Sequence, residues 1–113
     1  MLVFKSPRSN GSNYLLYDLK ENGYVLARAE VFIKKIKTQE VRLESLFVIK
    51  PENRRRGLGQ KLIEHMCHDL LVNQKKTLLL VTKPTKESIS FYLKMGFVKI
   101  HDRLYIKQLL EKQ

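Results

Sequence analysis

The sequence predicts an α/β fold in which a mixed, largely antiparallel sheet is flanked by two main helices. Across residues 1–49, apolar residues alternate along short segments separated by turn residues, a pattern typical of antiparallel strands. From Leu58 onward the apolar residues recur every three or four positions, and short apolar runs then alternate with helical patterns. Strands followed by this alternation indicate a sheet with helices packed on it.

The amino-terminal half is predicted to form a meander of four strands. A short strand over residues 2–4 and a polar loop precede a second strand over residues 14–19. Asn22-Gly23 is typical of a tight hairpin turn. Residues 25–33 then alternate with period two, and residues 41–49 form the last strand of this half.

The carboxyl-terminal half is predicted to contain two helices and three strands. Helical spacing extends from Leu58 to about residue 73, and the apolar run over residues 78–81 is typical of a strand buried on both faces. Thr85 is a candidate N-cap, and Gly96 suits the left-handed position after a second helix. Residues 97–100 and 104–106 complete a terminal hairpin.

Length and composition predict one domain, residues 1–113, with a single core. No apolar run is long enough to cross a bilayer, and the amino terminus lacks a secretory signal. The single cysteine, Cys67, excludes a disulfide within the chain, so we expect a cytoplasmic protein. Cys67 lies on the apolar stripe of the first helix, where we expect a buried apolar residue. His65 and His68 lack further ligands at suitable spacing, so no metal site is predicted.

The chain is strongly basic, with 22 lysines and arginines against 11 acidic residues and a formal charge of +11. Such a surface attracts polyanions without specifying which one. A phosphate-bearing coenzyme, RNA, DNA, an acidic protein or an anionic membrane surface would each satisfy this charge, and so would simple solvation of a basic protein.

Three arginines, Arg54, Arg55 and Arg56, directly precede the first helix. Positive charge is unfavourable there because the helix macrodipole already places partial positive charge at the N-terminus. An anion bound at this point would relieve the conflict, and Gly57 and Gly59 would let the backbone approach it. The segment is neither a Walker loop nor a dinucleotide fingerprint, because the spacing of its glycines differs from both.

Two segments resemble the hallmarks of the GNAT superfamily of N-acetyltransferases. The coenzyme A-binding segment of that family is similar to the run Leu46-Phe47-Val48-Ile49-Lys50-Pro51-x-x-Arg54-x-x-Gly57-x-Gly59. The second hallmark is similar to Phe91-Tyr92-Leu93-Lys94-Met95-Gly96-Phe97. Both occur in the family's order across about half of the chain, so the resemblance implies a GNAT-like fold.

The resemblance implies a transferase that moves the acetyl group of acetyl-coenzyme A directly to an amine, without an acyl-enzyme. Thr85 stands where members often have an asparagine, seven residues before the tyrosine. The residues implied to bind the coenzyme are Phe47, Val48, Ile49, Arg54, Arg55, Arg56, Gly57, Leu58, Gly59, Gln60, Thr85 and Ser88.

Two residues are candidates for proton transfer. By resemblance, Tyr92 lies near the coenzyme sulfur and protonates the departing thiolate, which suits a phenol that is protonated at neutral pH. The amides near Phe47 and Val48 would polarise the thioester carbonyl. Glu44 is the candidate base that deprotonates the amine, directly or through water, and its alternative interpretation is a solvated strand glutamate. Glu30 and Glu40 are weaker candidates.

The sequence departs from the family in one respect. Members usually have two helices between the first two strands, forming one wall of the acceptor site, and this chain has only a loop there. An open site would suit a protein or peptide amine, or a site completed by the second subunit of a homodimer. The alternative function is a non-catalytic module that binds coenzyme A or nucleic acid; the motifs favour the enzyme.

Overall fold

Seven strands and two α-helices make up the described part of the chain. The computed structural model describes residues 2–7, 13–33, 38–49 and 57–109, with residues 2–7 described by their backbone. In chain order the elements are β1 (Leu2–Pro7), β2 (Tyr14–Glu21), β3 (Tyr24–Ile33), β4 (Glu40–Val48), α1 (Leu58–Val72), β5 (Leu78–Thr82), a 3₁₀ turn (Lys86–Ser88), α2 (Ile89–Lys94), β6 (Val98–His101) and β7 (Leu104–Gln108).

All seven strands form one sheet, in the order β1-β2-β3-β4-β5-β7-β6. The first four strands pair antiparallel with their sequence neighbours, as does the β6–β7 hairpin, and β5 pairs antiparallel with β7. β4 and β5 alone pair in parallel, and α1 connects them. The predicted fold class, a mixed and largely antiparallel sheet with two main helices, is confirmed.

The predicted turn between β2 and β3 is also confirmed. Asn22 and Gly23 have φ of 51° and 83°, and Glu21 pairs with Tyr24 across the turn. Two consecutive left-handed residues define the type I′ geometry, whose twist matches that of the flanking strands.

β1 and β2 are adjacent antiparallel strands, and residues 8–13 connect them. One turn of α-helix takes about 3.6 residues, so this connection is too short for two helices. The predicted absence of the two helices is therefore confirmed.

Both helices lie on the same face of the sheet. The hydroxyl of Tyr17 on β2 donates a 2.5 Å hydrogen bond to Asp69 on α1. On the same face, the Nζ atom of Lys107 on β7 donates to the carbonyl oxygen of Met95, at the end of α2. The core between the sheet and the helices consists of Tyr17, Leu19, Ala27, Ala29, Val31, Val41, Leu43, Leu58, Leu62, Ile63, Met66, Leu70, Leu79, Val81, Tyr92, Phe97, Tyr105 and Leu109. No helix among the described residues is long and apolar enough to span a membrane.

The opposite face, which we call the open face, carries polar and half-buried side chains. The rings of Tyr14 and Phe32 are tilted by 53° with centroids 5.0 Å apart, and the guanidinium carbon of Arg42 lies 5.0 Å from the centroid of the Phe32 ring. Arg28 donates two hydrogen bonds to Asp18, of 2.7 and 3.0 Å. No described helix covers this face, so its side chains are in contact with solvent.

The prediction that the strand over residues 78–81 is buried on both faces is wrong. Leu79 and Val81 are buried, whereas Leu78 and Leu80 are half-buried. The reason is the placement of both helices on one side, which leaves the alternate residues of β5 on the open face.

The second helix also starts later than predicted. Thr85 has the extended backbone of an N-cap, but a 3₁₀ turn follows it and α2 begins at Ile89. The Thr85 hydroxyl donates to the Ser88 hydroxyl at 2.9 Å, and no side-chain cap forms. The predicted left-handed residue after the helix is confirmed, because Gly96 has φ of 92°.

Candidate active site

A cleft opens where β4 and β5 separate. Their parallel pairing covers Glu40–Arg42 on β4 and Leu78–Leu80 on β5, and it ends there. β4 continues to Val48 and remains paired with β3 on its other side. The β5-facing edge of residues 43–48 therefore has no strand partner from β5, which leaves a backbone edge that an extended ligand can pair with.

A β-bulge at Glu44 lies where the two strands separate. Ser45 pairs with Glu30 and Leu43 with Val31, so Glu44 is the extra residue of β4. A bulge bends its strand and increases the local twist. It also shifts the alternation of side chains, because Leu46 and Val48 now pack against the core.

The N-terminus of α1 forms one end of the cleft. Gly57 is the N-cap, with φ of 73°, and it provides no side-chain cap. The backbone N–H groups of residues 58–60 have no acceptor within the helix, and the first turn contains no acidic residue. These amides, with the positive end of the helix macrodipole, favour an anion.

Helix α2 forms the opposite wall. A Cβ atom added to Gly59 would lie 3.3 Å from the Cζ atom of Phe91, so the first turn of α1 packs directly against α2. The cleft between β4, α1 and α2 has a volume of about 530 Å³. Its lining residues are Leu46, Phe47, Val48, Gly57, Leu58, Gly59, Gln60, Phe91, Lys94 and Met95.

Tyr92 lies beside this wall and is 8% exposed. Its ring packs edge-on against Phe91 and Phe97, with centroids 5.5 and 5.2 Å away. Burial raises the pKa of the Tyr92 phenol above its ordinary value of 10.0. No buried polar side-chain atom of the described residues lacks a partner, and the Tyr92 hydroxyl has no hydrogen bond to a described residue. Its oxygen therefore keeps some contact with solvent.

Glu44 is solvent-accessible and forms an ion pair with its strand neighbour Arg42. The Arg42 Nε and Nη2 atoms lie 2.6 and 2.5 Å from the Glu44 Oε1 atom. Arg42 is itself stacked on Phe32, so the carboxylate is held close to the open face. Of the weaker candidates, Glu40 is exposed at the start of β4 and Glu30 is half-buried on β3.

The structure brings together half of the predicted coenzyme-binding residues. The cleft contains Phe47, Val48, Gly57, Leu58, Gly59 and Gln60. Ile49, Thr85 and Ser88 are not part of its lining, and neither are Tyr92 and Glu44. Arg54, Arg55 and Arg56 lie outside the described residues.

Four lining residues were absent from the predicted set: Leu46, Phe91, Lys94 and Met95. Lys94 and Met95 follow Phe91 by three and four residues, so the three side chains lie on one face of a helix. That spacing could have identified them once Phe91 was assigned to the wall of a site.

A second cavity, of about 790 Å³, adjoins the cleft and shares Gln60, Lys94 and Met95 with it. Cys67 lines this cavity and packs against the core. Burial raises the pKa of its thiol from 9.0 to about 11. The thiol is therefore protonated at neutral pH. Cys67 is half-buried, rather than fully buried as predicted, because its side chain lines this cavity.

Comparisons with known proteins place these features in a wider context. A family model described as FR47-like protein matches residues 33–106. No curated protein matches the chain significantly in sequence. The solved structure of the ribosomal-protein-S18-alanine N-acetyltransferase from Escherichia coli has a TM-score of 0.72 at 22% identity, over 92% of this chain and 74% of that chain.

Two further solved structures have the same fold. Mutant forms of the spermidine/spermine N-acetyltransferase SpeG from Vibrio cholerae give a TM-score of 0.72 at 11% identity, over 88% of this chain and 69% of that chain. A GNAT family acetyltransferase from Elizabethkingia anophelis with acetyl-CoA bound gives 0.69 at 13% identity, over 86% and 77%. These similarities confirm the fold that the two sequence segments predicted.

Proposed function

Because the chain belongs to the FR47-like protein family and has the GNAT fold, we propose that it transfers the acetyl group of acetyl-coenzyme A directly to an amine. One observation supports this most strongly. The unpaired edge of β4, the uncapped N-terminus of α1 and the Phe91 face of α2 meet in one cleft. A ligand with an extended amide-containing arm and a diphosphate matches these three surfaces.

In this proposal the diphosphate of the coenzyme binds at the start of α1. The amides after Gly57 donate to its oxygens, and Arg54, Arg55 and Arg56, which precede Gly57 in the sequence, neutralise its charge. Each charge-assisted hydrogen bond contributes about 1.5–3 kcal/mol. The pantetheine arm extends along the edge of β4 at residues 46–48 and pairs with its backbone. Phe91 and Met95 pack against the arm from α2.

The acetyl group then lies near the bulge of β4. The nitrogen of an uncharged amine attacks the thioester carbon, and strand amides near Phe47 and Val48 stabilise the oxyanion. The carbon–sulfur bond breaks, the departing thiolate takes the proton of the Tyr92 hydroxyl, and the proton that the new amide nitrogen releases passes through water to restore that hydroxyl. The raised pKa of Tyr92 keeps that proton in place at neutral pH until the thiolate forms.

Before the attack, the protonated amine loses a proton to Glu44, which lies two residues before the coenzyme-binding run that starts at Leu46. The Arg42–Glu44 ion pair allows this proton transfer to occur through a water molecule, because both side chains remain solvent-accessible. Thr85 and Ser88 contact the coenzyme from the β5 side in this arrangement. We also propose a cytoplasmic location, since the free thiol of Cys67 suits a reducing compartment.

Calorimetry and a thiol-release assay test the proposal together. We expect acetyl-coenzyme A to bind in moderate salt, and free thiol to appear when a panel of amines and peptides is added. Binding without thiol release from any acceptor would indicate the non-catalytic module instead. Failure to bind acetyl-coenzyme A, with salt-sensitive binding of RNA, would reject the coenzyme site altogether.

A further inference from the structure

We infer that the acceptor amine is carried by an acidic peptide segment, which is recognised by two cationic loops at the end of the sheet where β4 and β5 separate. This inference rests on the proposed acetyl transfer and specifies its substrate class. The fold alone does not determine the acceptor, because the similar structures described above include one enzyme named for a protein alanine and one named for spermidine and spermine.

The two loops are joined at the carboxyl end of β5. Thr82, the last residue of β5, pairs with Leu104, the first residue of β7. Directly beyond this pair, the backbone N–H of Lys83 donates to the carbonyl oxygen of Arg103 at 2.9 Å. Lys83 begins the segment that leads to α2, and Arg103 lies in the β6–β7 turn. Both therefore lie at the end of the sheet where β4 has separated from β5.

The cations of these loops are available to a ligand. Lys83, Lys86 and Arg103 are exposed, and their side chains form no ion pair with the described residues. The carboxylate of Asp102, the nearest acid in the turn, lies 2.9 Å from the Lys99 Nζ atom, so it is already engaged. Glu87 is the other acid of these loops, whose three cations outnumber their two carboxylates.

The shape of the site favours a peptide over a compact metabolite. Both described helices pack on one face of the sheet, and no described helix covers the open face. An extended segment can lie across such an open surface, with its acidic side chains beside Lys83 and Arg103. The same cations repel a polyamine and favour the uncharged form of a nearby amine, which is the nucleophilic form.

Charge-matched peptides test this inference. Each peptide has a free amino-terminal alanine and a carboxyl-terminal fluorophore. Four versions carry two aspartates, two phosphoserines, two serines or two lysines close to the alanine. Fluorescence anisotropy measures binding, and thiol release from acetyl-coenzyme A measures transfer. Two exposed ion pairs predict about three- to tenfold tighter binding of the aspartate peptide than of the serine peptide, decreasing as salt rises.

Lys83→Glu and Arg103→Glu should each reduce the preference for the aspartate peptide over the serine peptide. The double variant should abolish this preference. Lys75→Glu is the matched control, because Lys75 is also exposed and has the same left-handed backbone, with φ of 56° against 50° for Lys83. It lies at the amino end of β5, so its variant should retain the preference. The aspartate and phosphoserine peptides together identify whether carboxylate or phosphate is the better anion.

The outcomes separate this inference from the proposed function. The inference is overturned if the aspartate and serine peptides bind equally, or if Lys75→Glu loses as much of the preference for the aspartate peptide as Lys83→Glu does. This holds even when transfer to the serine peptide proceeds. Charge-dependent binding without transfer to any peptide supports the acidic partner and rejects the enzyme. A short single-stranded RNA that binds more tightly than the aspartate peptide, and depends on Lys83 and Arg103, would overturn the inference in favour of nucleic acid.

Discussion

Gly59 on α1 and Phe91 on α2 are in such close contact that a Cβ atom on Gly59 would lie 3.3 Å from the Phe91 ring. The contact fixes the distance between the two helices that border the cleft. Gly59 thus has a packing role that is separate from any contact with a phosphate. The two roles can be distinguished, because a methyl group at Gly59 affects the helix, the ring and the cleft differently.

For Gly59→Ala we expect a small change in stability and a larger change in ligand affinity. Alanine favours the helix by about 1 kcal/mol over glycine, which offsets the cost of moving the Phe91 ring by a few tenths of an ångström. The displaced ring narrows the cleft, so the affinity for acetyl-coenzyme A should fall about threefold or more. Urea unfolding and calorimetry measure the two quantities. Unchanged affinity would show that the wall adjusts without affecting the site.

Gly57→Ala should weaken both stability and coenzyme binding. Gly57 has φ of 73°, a conformation that costs a residue with a Cβ atom about 1–2 kcal/mol. Its new methyl group would project into the cleft that Gly57 lines, and we expect about a tenfold loss of affinity.

Gly23→Ala is the matched control for this variant. Gly23 also has a left-handed backbone, with φ of 83°, and an added Cβ atom meets no neighbour within 4 Å at either glycine. Gly23→Ala should lose the same stability and retain full affinity for acetyl-coenzyme A. Equal affinities of the two variants would contradict the assignment of the α1 N-terminus to the diphosphate.

Tyr92→Phe should lower kcat about a hundredfold or more and leave KM for acetyl-coenzyme A within about twofold. General acids typically contribute 10²–10⁴ in rate, and the ring packing against Phe91 and Phe97 is retained in phenylalanine. Tyr105→Phe is the control, because Tyr105 is also buried but lies on β7. A rate equal to that of the unmodified protein would exclude Tyr92 as the acid.

The acid assignment also predicts the pH profile. Burial raises the pKa of Tyr92 above 10.0, so its deprotonation should not reduce kcat at any pH below that value. A fall in kcat between pH 8 and 9 that Tyr92→Phe abolishes would contradict this expectation.

Local features of the structure were predictable from sequence. The type I′ turn at Asn22-Gly23 and the alternation of β3 depend on the chain's own backbone preferences and on the period of its side chains. The uncapped start of α1 was likewise indicated by adjacent residues, since arginines and glycines stand where an acidic cap would be favourable.

Features that depend on distant partners were not predictable in the same way. The bulge at Glu44 exists because β3 and β4 change register there, and neither strand alone contains a signal for it. The half-exposure of Leu80 follows from the placement of both helices on one face. The packing of Gly59 against Phe91 is likewise a tertiary contact, so the sequence indicated that a glycine was needed but not for which neighbour.

The stability of the fold should decrease at alkaline pH, because Tyr17, Cys67 and Tyr92 hold their protons more tightly in the folded chain. Burial, followed by the hydrogen bond to Asp69, raises the pKa of Tyr17 well above 10.0, and burial raises the pKa of Cys67 from 9.0 to about 11. A group whose pKa is higher in the folded than in the unfolded chain contributes its full stabilisation below the unfolded-state pKa. This stabilisation is lost as the pH rises from the unfolded-state pKa toward the folded-state pKa. The loss should therefore begin near pH 9 for Cys67 and near pH 10 for Tyr17, and the part due to Cys67 should total about 1–3 kcal/mol by pH 11.

Urea unfolding between neutral pH and pH 11 measures this decline, and two variants assign it. Cys67→Ala should remove the part that begins near pH 9. Tyr17→Phe should lose about 1–3 kcal/mol at neutral pH, because the Asp69 carboxylate loses its donor from β2, and it should decline less steeply above pH 10. Because the Asn73 side chain still donates to Asp69 at 2.7 Å, the loss at neutral pH should lie at the lower end of that range. If the free energy of unfolding has the same pH dependence in the unmodified protein, Cys67→Ala and Tyr17→Phe, neither the Cys67 nor the Tyr17 proton contributes to the stability of the fold.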